Sequence, residues 1–172
     1  MKTKIFCDSA DFATIKKLSK TKLVNGFTTN PSLIRLSGGR NYKNYCLSLL
    51  KVCKNKPISF EVFSDDIKVM EEQAMEIFSW GKNVNVKIPI TNTKKESTVD
   101  LIGRLSEKGV VCNVTAIFTI EQVEKVISKI NPNTPIILSV FAGRIADAGI
   151  DPIDMMKKSV SLSKQKSKLN RE

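Results

Sequence analysis

The sequence predicts an α/β protein built from repeated βα units around a parallel sheet. Three observations carry that reading. Short apolar, β-branched runs alternate with stretches of helical period, the two recur at fairly even intervals, and no interior linker rich in Gly, Pro or Ser divides the chain. The spacing predicts strands at Ile5 to Cys7, Leu23 to Phe27, Ile58 to Val62, Val84 to Ile88, Val110 to Val114 and Ile136 to Ser139. Between them, amphipathic helices are expected on five sets of apolar positions. These are Phe12, Ile15 and Leu18; Tyr45, Leu49 and Val52; Ile67, Met70, Ala74 and Ile77; Val99, Ile102 and Leu105; and Ile120, Val123, Ile127 and Ile130.

The punctuation agrees with those helices. Thr119 with Gln122 has the capping-box pattern, and Gly109 directly follows the helix that carries Leu105. Asp151-Pro152 supplies an N-cap and a first-turn proline for a further helix through Met156 and Val160. Beyond Met156 the segment KKSVSLSKQKSKLNRE is rich in Lys and Ser, so residues 1–156 are expected to form the barrel domain and 157–172 a solvated tail that frays.

Composition sets the chemical limits. With 172 residues, 41% hydrophobic and 26% charged, the chain has ordinary globular usage and enough length for its own core. Histidine is absent, which excludes Ser-His and Cys-His nucleophile arrangements and any zinc site that needs imidazole. Cys7, Cys46, Cys53 and Cys112 form no C-x-x-C pair and read as reduced, mostly buried thiols. No metal site is expected. The polar Cys7-Asp8 step interrupts any apolar signal core, and no run approaches the roughly 18 residues of a membrane span. The expectation is a cytoplasmic protein with no membrane partner.

The net charge of +11 raises nucleic acid as a partner, but 23 of the 28 basic residues are lysine and six basic residues lie in the last sixteen positions. Base-reading surfaces lean on arginine. Nucleic-acid binding is therefore disfavoured.

The polar residues carry more information. Each expected strand has a reactive or hydrogen-bonding residue in its last positions or just beyond: Asp8; Thr28, Thr29 and Asn30; Glu61; Lys87; Asn113 with Thr115; and Ser139. In a TIM-type (β/α) barrel the carboxyl ends of the strands are where active sites sit. Any one of these residues alone reads as an ordinary cap or turn. Lys87 is different, because VNVKIPI is expected to be buried on both faces and a charged amine there is costly. A desolvated lysine is a nucleophile suited to Schiff-base chemistry with a carbonyl substrate. Such chemistry needs proton relays, which Glu61 with a water held by Thr115 would supply on one side and Asp8 on the other.

These segments resemble the transaldolase family, in particular its short, single-domain members. The resemblance rests on FCDSAD at 6–11, NGFTTNPSLI at 25–34, SFEV at 59–62, NVNVKIPIT at 83–91, GVVCNVTAIFTIEQ at 109–122 and SVFAGRIADAGID at 139–151, which occur in the family's order. It implies an enzyme without cofactor that moves a dihydroxyacetone unit from a ketose phosphate to an aldose phosphate through a lysine Schiff base. By resemblance Lys87 is the Schiff-base lysine, Glu61 and Thr115 hold the relay water, and Asp8 is the base in carbon–carbon cleavage. Thr28, Thr29, Asn30, Asn113, Ser139 and Phe141 line the substrate, and Arg144 resembles a phosphate ligand. Sugar phosphates are the implied partners, together with homo-oligomerisation and a place in the pentose phosphate pathway. The related fructose-6-phosphate aldolases typically carry Gln and Tyr where this sequence has Glu61 and Phe141, so the pair is of transaldolase type.

The family's barrel has eight βα units, and the expectation here is a barrel shortened to about six. Three readings follow: an active transaldolase whose gap is filled by another chain or by oligomerisation, a weak or inert homologue that binds sugar phosphates, and a basic interaction module acting through its lysine-rich tail. The fructose-6-phosphate aldolase activity of the related branch is a further alternative.

Overall fold

The six expected strands form and follow one another across one sheet in chain order. The computed structural model describes residues 3–53 and 56–168. Its elements are β1 (Phe6–Asp8), α1 (Phe12–Ser19), β2 (Gly26–Thr28), α2 (Pro31–Leu36), α3 (Tyr42–Cys53), β3 (Ile58–Glu61) and α4 (Ile67–Ser79). They continue with β4 (Val84–Pro89), α5 (Val99–Glu107), β5 (Cys112–Ile117), α6 (Ile120–Lys129), β6 (Ile136–Val140), α7 (Ala142–Asp147) and α8 (Ile153–Lys168). The sheet order is β1-β2-β3-β4-β5-β6. Pairing is parallel between β1 and β2, β2 and β3, and β5 and β6, with Cys7 opposite Phe27, Thr28 opposite Ser59 and Asn113 opposite Ile137. Parallel neighbours joined through helices are the βα arrangement of a TIM-type fold. Six such units are present among the described residues.

The chain groups into two compact units, Met1–Phe63 with Glu72–Val86 and Ser64–Glu71 with Lys87–Glu172. In the first, α1 and α2 pack on α3, and α3 packs on β3. Its core holds Ile15, Phe27, Ile34, Leu49, Ile58 and Phe60, all essentially inaccessible to solvent. The loop between α1 and β2 is tied down by one cation. Lys56 Nζ donates to the carbonyls of Leu18 (3.1 Å), Thr21 (2.5 Å) and Val24 (2.7 Å), which joins the end of α1 to the approach to β2. In the second unit α5 packs on β5 and on α6, and α6 on α8, around Ile88, Leu101, Ile102, Leu105, Val114 and Val126.

Local chemistry explains the helix ends. The capping box at α6 is complete: Gln122 N–H donates to Thr119 Oγ1 at 3.3 Å, and Gln122 Oε1 accepts from Thr119 N–H at 3.2 Å. After α5, Gly109 takes φ +77°, and Val110 N–H reaches back to the Leu105 carbonyl at 3.0 Å. Asp66 Oδ1 accepts from the N–H groups of Lys68 and Val69 at the start of α4.

The structure departs from the sequence reading at several elements. Ile5 and Leu23 were expected in strands, yet they are 57% and 73% exposed, and β1 and β2 begin at Phe6 and Gly26. β5 likewise begins at Cys112 and runs three residues past Val114. Two six-residue helices, α2 and α7, are too short to show a helical period. A signal for α2 was nevertheless present: Asn30 before Pro31 is an N-cap followed by a first-turn proline. Finally, α8 stays helical to Lys168, through most of the 157–172 tail that was expected to fray. Ser159 and Ser163 each donate back to the carbonyl four residues earlier, at 2.8 Å, so their hydroxyls do not compete with the helix. The end of the expected tail, residues 169–172, lies outside the described residues.

Two outcomes are expected for stability. Lys56→Met should lower unfolding free energy by about 2 kcal/mol in urea titrations, since three carbonyls lose a charged donor. Alkaline pH should also destabilise the fold. Burial pushes the Cys46 and Cys112 thiols up to about 12, against an ordinary value of 9.0. The native state therefore holds protons that the unfolded chain releases, and the associated stability is present below about pH 9 and lost as pH rises towards about 12. Urea midpoints measured across that window check the slope.

Candidate functional site

Alternation along β4 places Asn85, Lys87 and Pro89 on one face of the strand and Val84, Val86 and Ile88 on the other. Lys87 is only 8% exposed, and Asn85 6%. The same alternation in β5 puts Asn113 and Thr115 on one face, at 4% and 3% exposure. Ser139 of β6 donates from Oγ to Asn113 Oδ1 at 2.7 Å. Thr115 Oγ1 is buried and has no hydrogen-bond partner among the described residues. A buried hydroxyl of this kind is costly unless it serves a water or a ligand. The second unit thus gathers a buried amine, a carboxamide and two hydroxyls on consecutive strands.

The backbone is distorted beside them. Pairing of β5 with β6 shifts register between Val114 and Ile117, where Ala116 takes φ +58°. Left-handed backbone is rare for a residue with a Cβ, and bulges of this type commonly re-aim side chains next to sites. Past the bulge, Phe118 and Phe141 pack edge to face, with ring centroids 5.5 Å apart. Arg144 in α7 is 74% exposed and makes a loose ion pair with Asp147 at 3.7 Å. The guanidinium is held weakly there, since both partners are in solvent.

In the first unit, the structure assigns several expected substrate ligands a local partner. Thr29 is fully buried, and its Oγ1 donates to the Ser59 carbonyl at 2.8 Å, which joins the end of β2 to β3. Asn30 caps α2, with Oδ1 accepting from Leu33 N–H at 2.8 Å. Thr28 closes β2 half-buried, and Asp8 closes β1 exposed. Glu61, half-buried, is the last residue of β3.

Tyr42 was missed by the sequence reading, although it sits one helical turn before Tyr45 on the apolar face of α3. Its hydroxyl donates to the Glu61 carbonyl at 2.7 Å and accepts from the Glu61 N–H at 3.0 Å. Burial pushes this phenol far above its ordinary range, so it stays protonated and keeps both bonds. The main chain at Glu61 is therefore clamped from the side, and the carboxylate leaves β3 from a fixed point. Next to Asp8, the half-buried Cys7 thiol is raised by burial first and by the Asp8 charge second, which makes it a poor nucleophile.

Comparison with known proteins adds independent findings. The family model described as Transaldolase/Fructose-6-phosphate aldolase matches residues 5–170. A protein of Dehalococcoides mccartyi named "Probable transaldolase" is 33% identical over 162 residues, covering 94% of this chain and 71% of its own length. A "Probable transaldolase" of Streptococcus agalactiae serotype V is 34% identical over 154 residues, covering 90% of this chain and 67% of that one. "Probable transaldolase 2" of Listeria monocytogenes is 33% identical, with 90% and 66% covered.

The Tyr42 clamp has a direct test. Tyr42→Phe keeps the ring but removes both bonds to Glu61, and should cost about 1–3 kcal/mol in denaturant unfolding, because a backbone donor and acceptor lose their partner. A change below about 0.5 kcal/mol would mean that the clamp holds little.

Proposed function

Because the chain belongs to the transaldolase/fructose-6-phosphate aldolase family, we propose that it transfers a dihydroxyacetone unit between sugar phosphates through a Schiff base on Lys87. The observation that carries this reading is the amine of Lys87, buried in the middle of β4 on the face it shares with Asn85. Surface lysines are solvated and inert as nucleophiles, whereas one held among apolar strand residues attacks carbonyls.

The steps are as follows. The amine of Lys87 adds to the ketose carbonyl to give a carbinolamine, which loses water to form an iminium. Glu61 passes protons in these steps through a water bound to Thr115, whose Oγ1 has no competing partner among the described residues. The iminium draws the electron pair of the adjacent carbon–carbon bond onto the neighbouring carbon as Asp8 takes the proton of the sugar hydroxyl. An aldose phosphate leaves, and an enamine remains on Lys87. Addition of that enamine to an acceptor aldehyde, followed by hydrolysis of the new iminium, releases the product ketose and restores the lysine. The electron sink is the iminium itself, so this chemistry calls on no metal or organic cofactor.

Substrate recognition is proposed for Thr28, Asn30, Asn113, Ser139 and Phe141, with Thr29, fully buried and bonded to the Ser59 carbonyl, holding the end of β2 in place beside them. Asn113, bonded to Ser139, carries a carboxamide of the kind that reads a sugar hydroxyl. Arg144, loosely paired, supplies a forked donor for the phosphate. We place the activity in carbohydrate metabolism of the pentose phosphate type, in the cytoplasm, carried out by residues 1–156 of a homo-oligomer with 157–172 as an appended basic segment. Among the described residues no helix is long and apolar enough to cross a membrane. Glu61 and Phe141, in place of the Gln and Tyr of the aldolase branch, favour transfer over free aldol cleavage.

Incubation with fructose 6-phosphate followed by borohydride should freeze the imine as a sugar-derived adduct on the peptide carrying Lys87. Lys87→Met, close in volume and apolar, should fold and yield neither adduct nor transfer. Saturable sugar-phosphate binding with no adduct on a folded chain would overturn the transferase reading in favour of a binding protein.

A further inference from the structure

A surface cavity in the first unit has a chemistry that the transfer reaction does not use. It opens broadly to solvent, has a volume of about 490 Å³ and is lined by Pro31, Ile34, Arg35, Gly39, Arg40, Tyr42 and Phe63. That volume is within the ordinary range for small-molecule sites. Its architecture is local: α2 supplies Pro31, Ile34 and Arg35, and the following turn brings back Gly39 and Arg40. A Cβ on Gly39 would lie 2.5 Å from Ile34 Cγ2 and 2.9 Å from Tyr45 Cγ, so only glycine lets the turn close this tightly. Arg35 from α2 and Arg40 from the turn are thereby brought to one cavity.

Only five of the 28 basic residues of the chain are arginine, and two of the five line this space. Neither Arg35 nor Arg40 makes an ion pair with a described acidic side chain, whereas Arg104 and Arg144 both do. Both are exposed at the cavity, and both are free to present their planar forks to an oxyanion. The remaining walls are apolar. Phe63 is 62% exposed, a large aromatic surface left open, and its ring meets Tyr42 edge to face at 5.4 Å. The Tyr42 hydroxyl is fully engaged with Glu61 and offers a ligand nothing. A polyol would thus find apolar walls where its hydroxyls need partners, and bare phosphate would leave those walls wet.

We propose that this cavity binds a nucleoside monophosphate, with the phosphate on Arg35 and Arg40 and the base stacked on Phe63. Stacking a flat base on an aromatic ring and forking a phosphate with guanidinium are the two contacts the lining provides. The lining holds neither Lys87 nor any other residue assigned to the transfer, and binding there does not depend on that chemistry.

The single tryptophan gives a probe. Trp80 lies against Tyr42, with centroids 6.5 Å apart, so its fluorescence should respond to occupancy, with calorimetry as the second readout. AMP should bind saturably. Adenosine, ribose 5-phosphate and inorganic phosphate should each bind at least about tenfold more weakly, because each lacks one of the two contacts. Arg35→Gln and Arg40→Gln alter exposed side chains and should each weaken AMP by about five- to tenfold with unchanged circular dichroism, and Phe63→Ala should do the same. Lys87→Met should leave AMP binding unchanged. The proposal is overturned if AMP gives no saturable signal at 5 mM, on the order of the weakest useful affinity. It is equally overturned if ribose 5-phosphate binds as well as AMP, if the double arginine variant binds normally, or if Lys87→Met abolishes binding.

Discussion

The burial of one amine in a β-strand is the constraint on which the rest of the second unit turns. A strand of a parallel sheet is covered on both faces, and Val84, Val86 and Ile88 meet that demand on one side of β4. On the other side stand Asn85 and Lys87, both less than a tenth exposed. Polar groups at that depth require polar surroundings. β5 and β6 carry such groups, with Asn113 and Thr115 on one face of β5 and Ser139 bonded to Asn113. The bulge at Ala116 lies directly after Thr115, where it shifts the pairing with β6 by one residue. Packing and chemistry here are one arrangement.

The first unit solves a different problem, which is how to present a carboxylate from the last residue of a short strand. β3 has only four residues, and its last one is also bonded from outside the sheet. Tyr42 supplies that restraint from α3, binding the Glu61 backbone both ways. Thr29 does the same for the end of β2 through the Ser59 carbonyl. These side chains replace sheet length as the source of rigidity, which is what positioned groups need. The same Tyr42 also forms a wall of the arginine cavity, so one aromatic residue serves both features.

Much of this was legible in the sequence because it is local. Apolar periodicity located all six strands and the six longer helices to within a few residues, and the Thr119–Gln122 box and Gly109 cap formed as their spacing required. Lys87 stood out because a charge inside VNVKIPI contradicts its neighbours. The transaldolase resemblance of the strand-end motifs was matched by the family model and by relatives at about a third identity. Thr29 illustrates the limit of that kind of reading. A threonine at a strand end is equally suited to a ligand or to a backbone carbonyl, and here its hydroxyl is given to Ser59.

What the sequence by itself determined, then, was the succession of elements, their caps and the identity of the one misplaced charge, since each follows from residues within a turn or two of one another. The tertiary structure alone decided which side chains restrain which strand ends. The bonds from Tyr42 to Glu61 and from Thr29 to Ser59 span 19 and 30 residues, and no local pattern encodes them. It also decided that Ile5 and Leu23 lie outside the core, and that Arg35 and Arg40 face a cavity beside Phe63. Burial and non-local partners depend on where the chain returns in space. That is set by packing of whole elements, to which each residue contributes only a part.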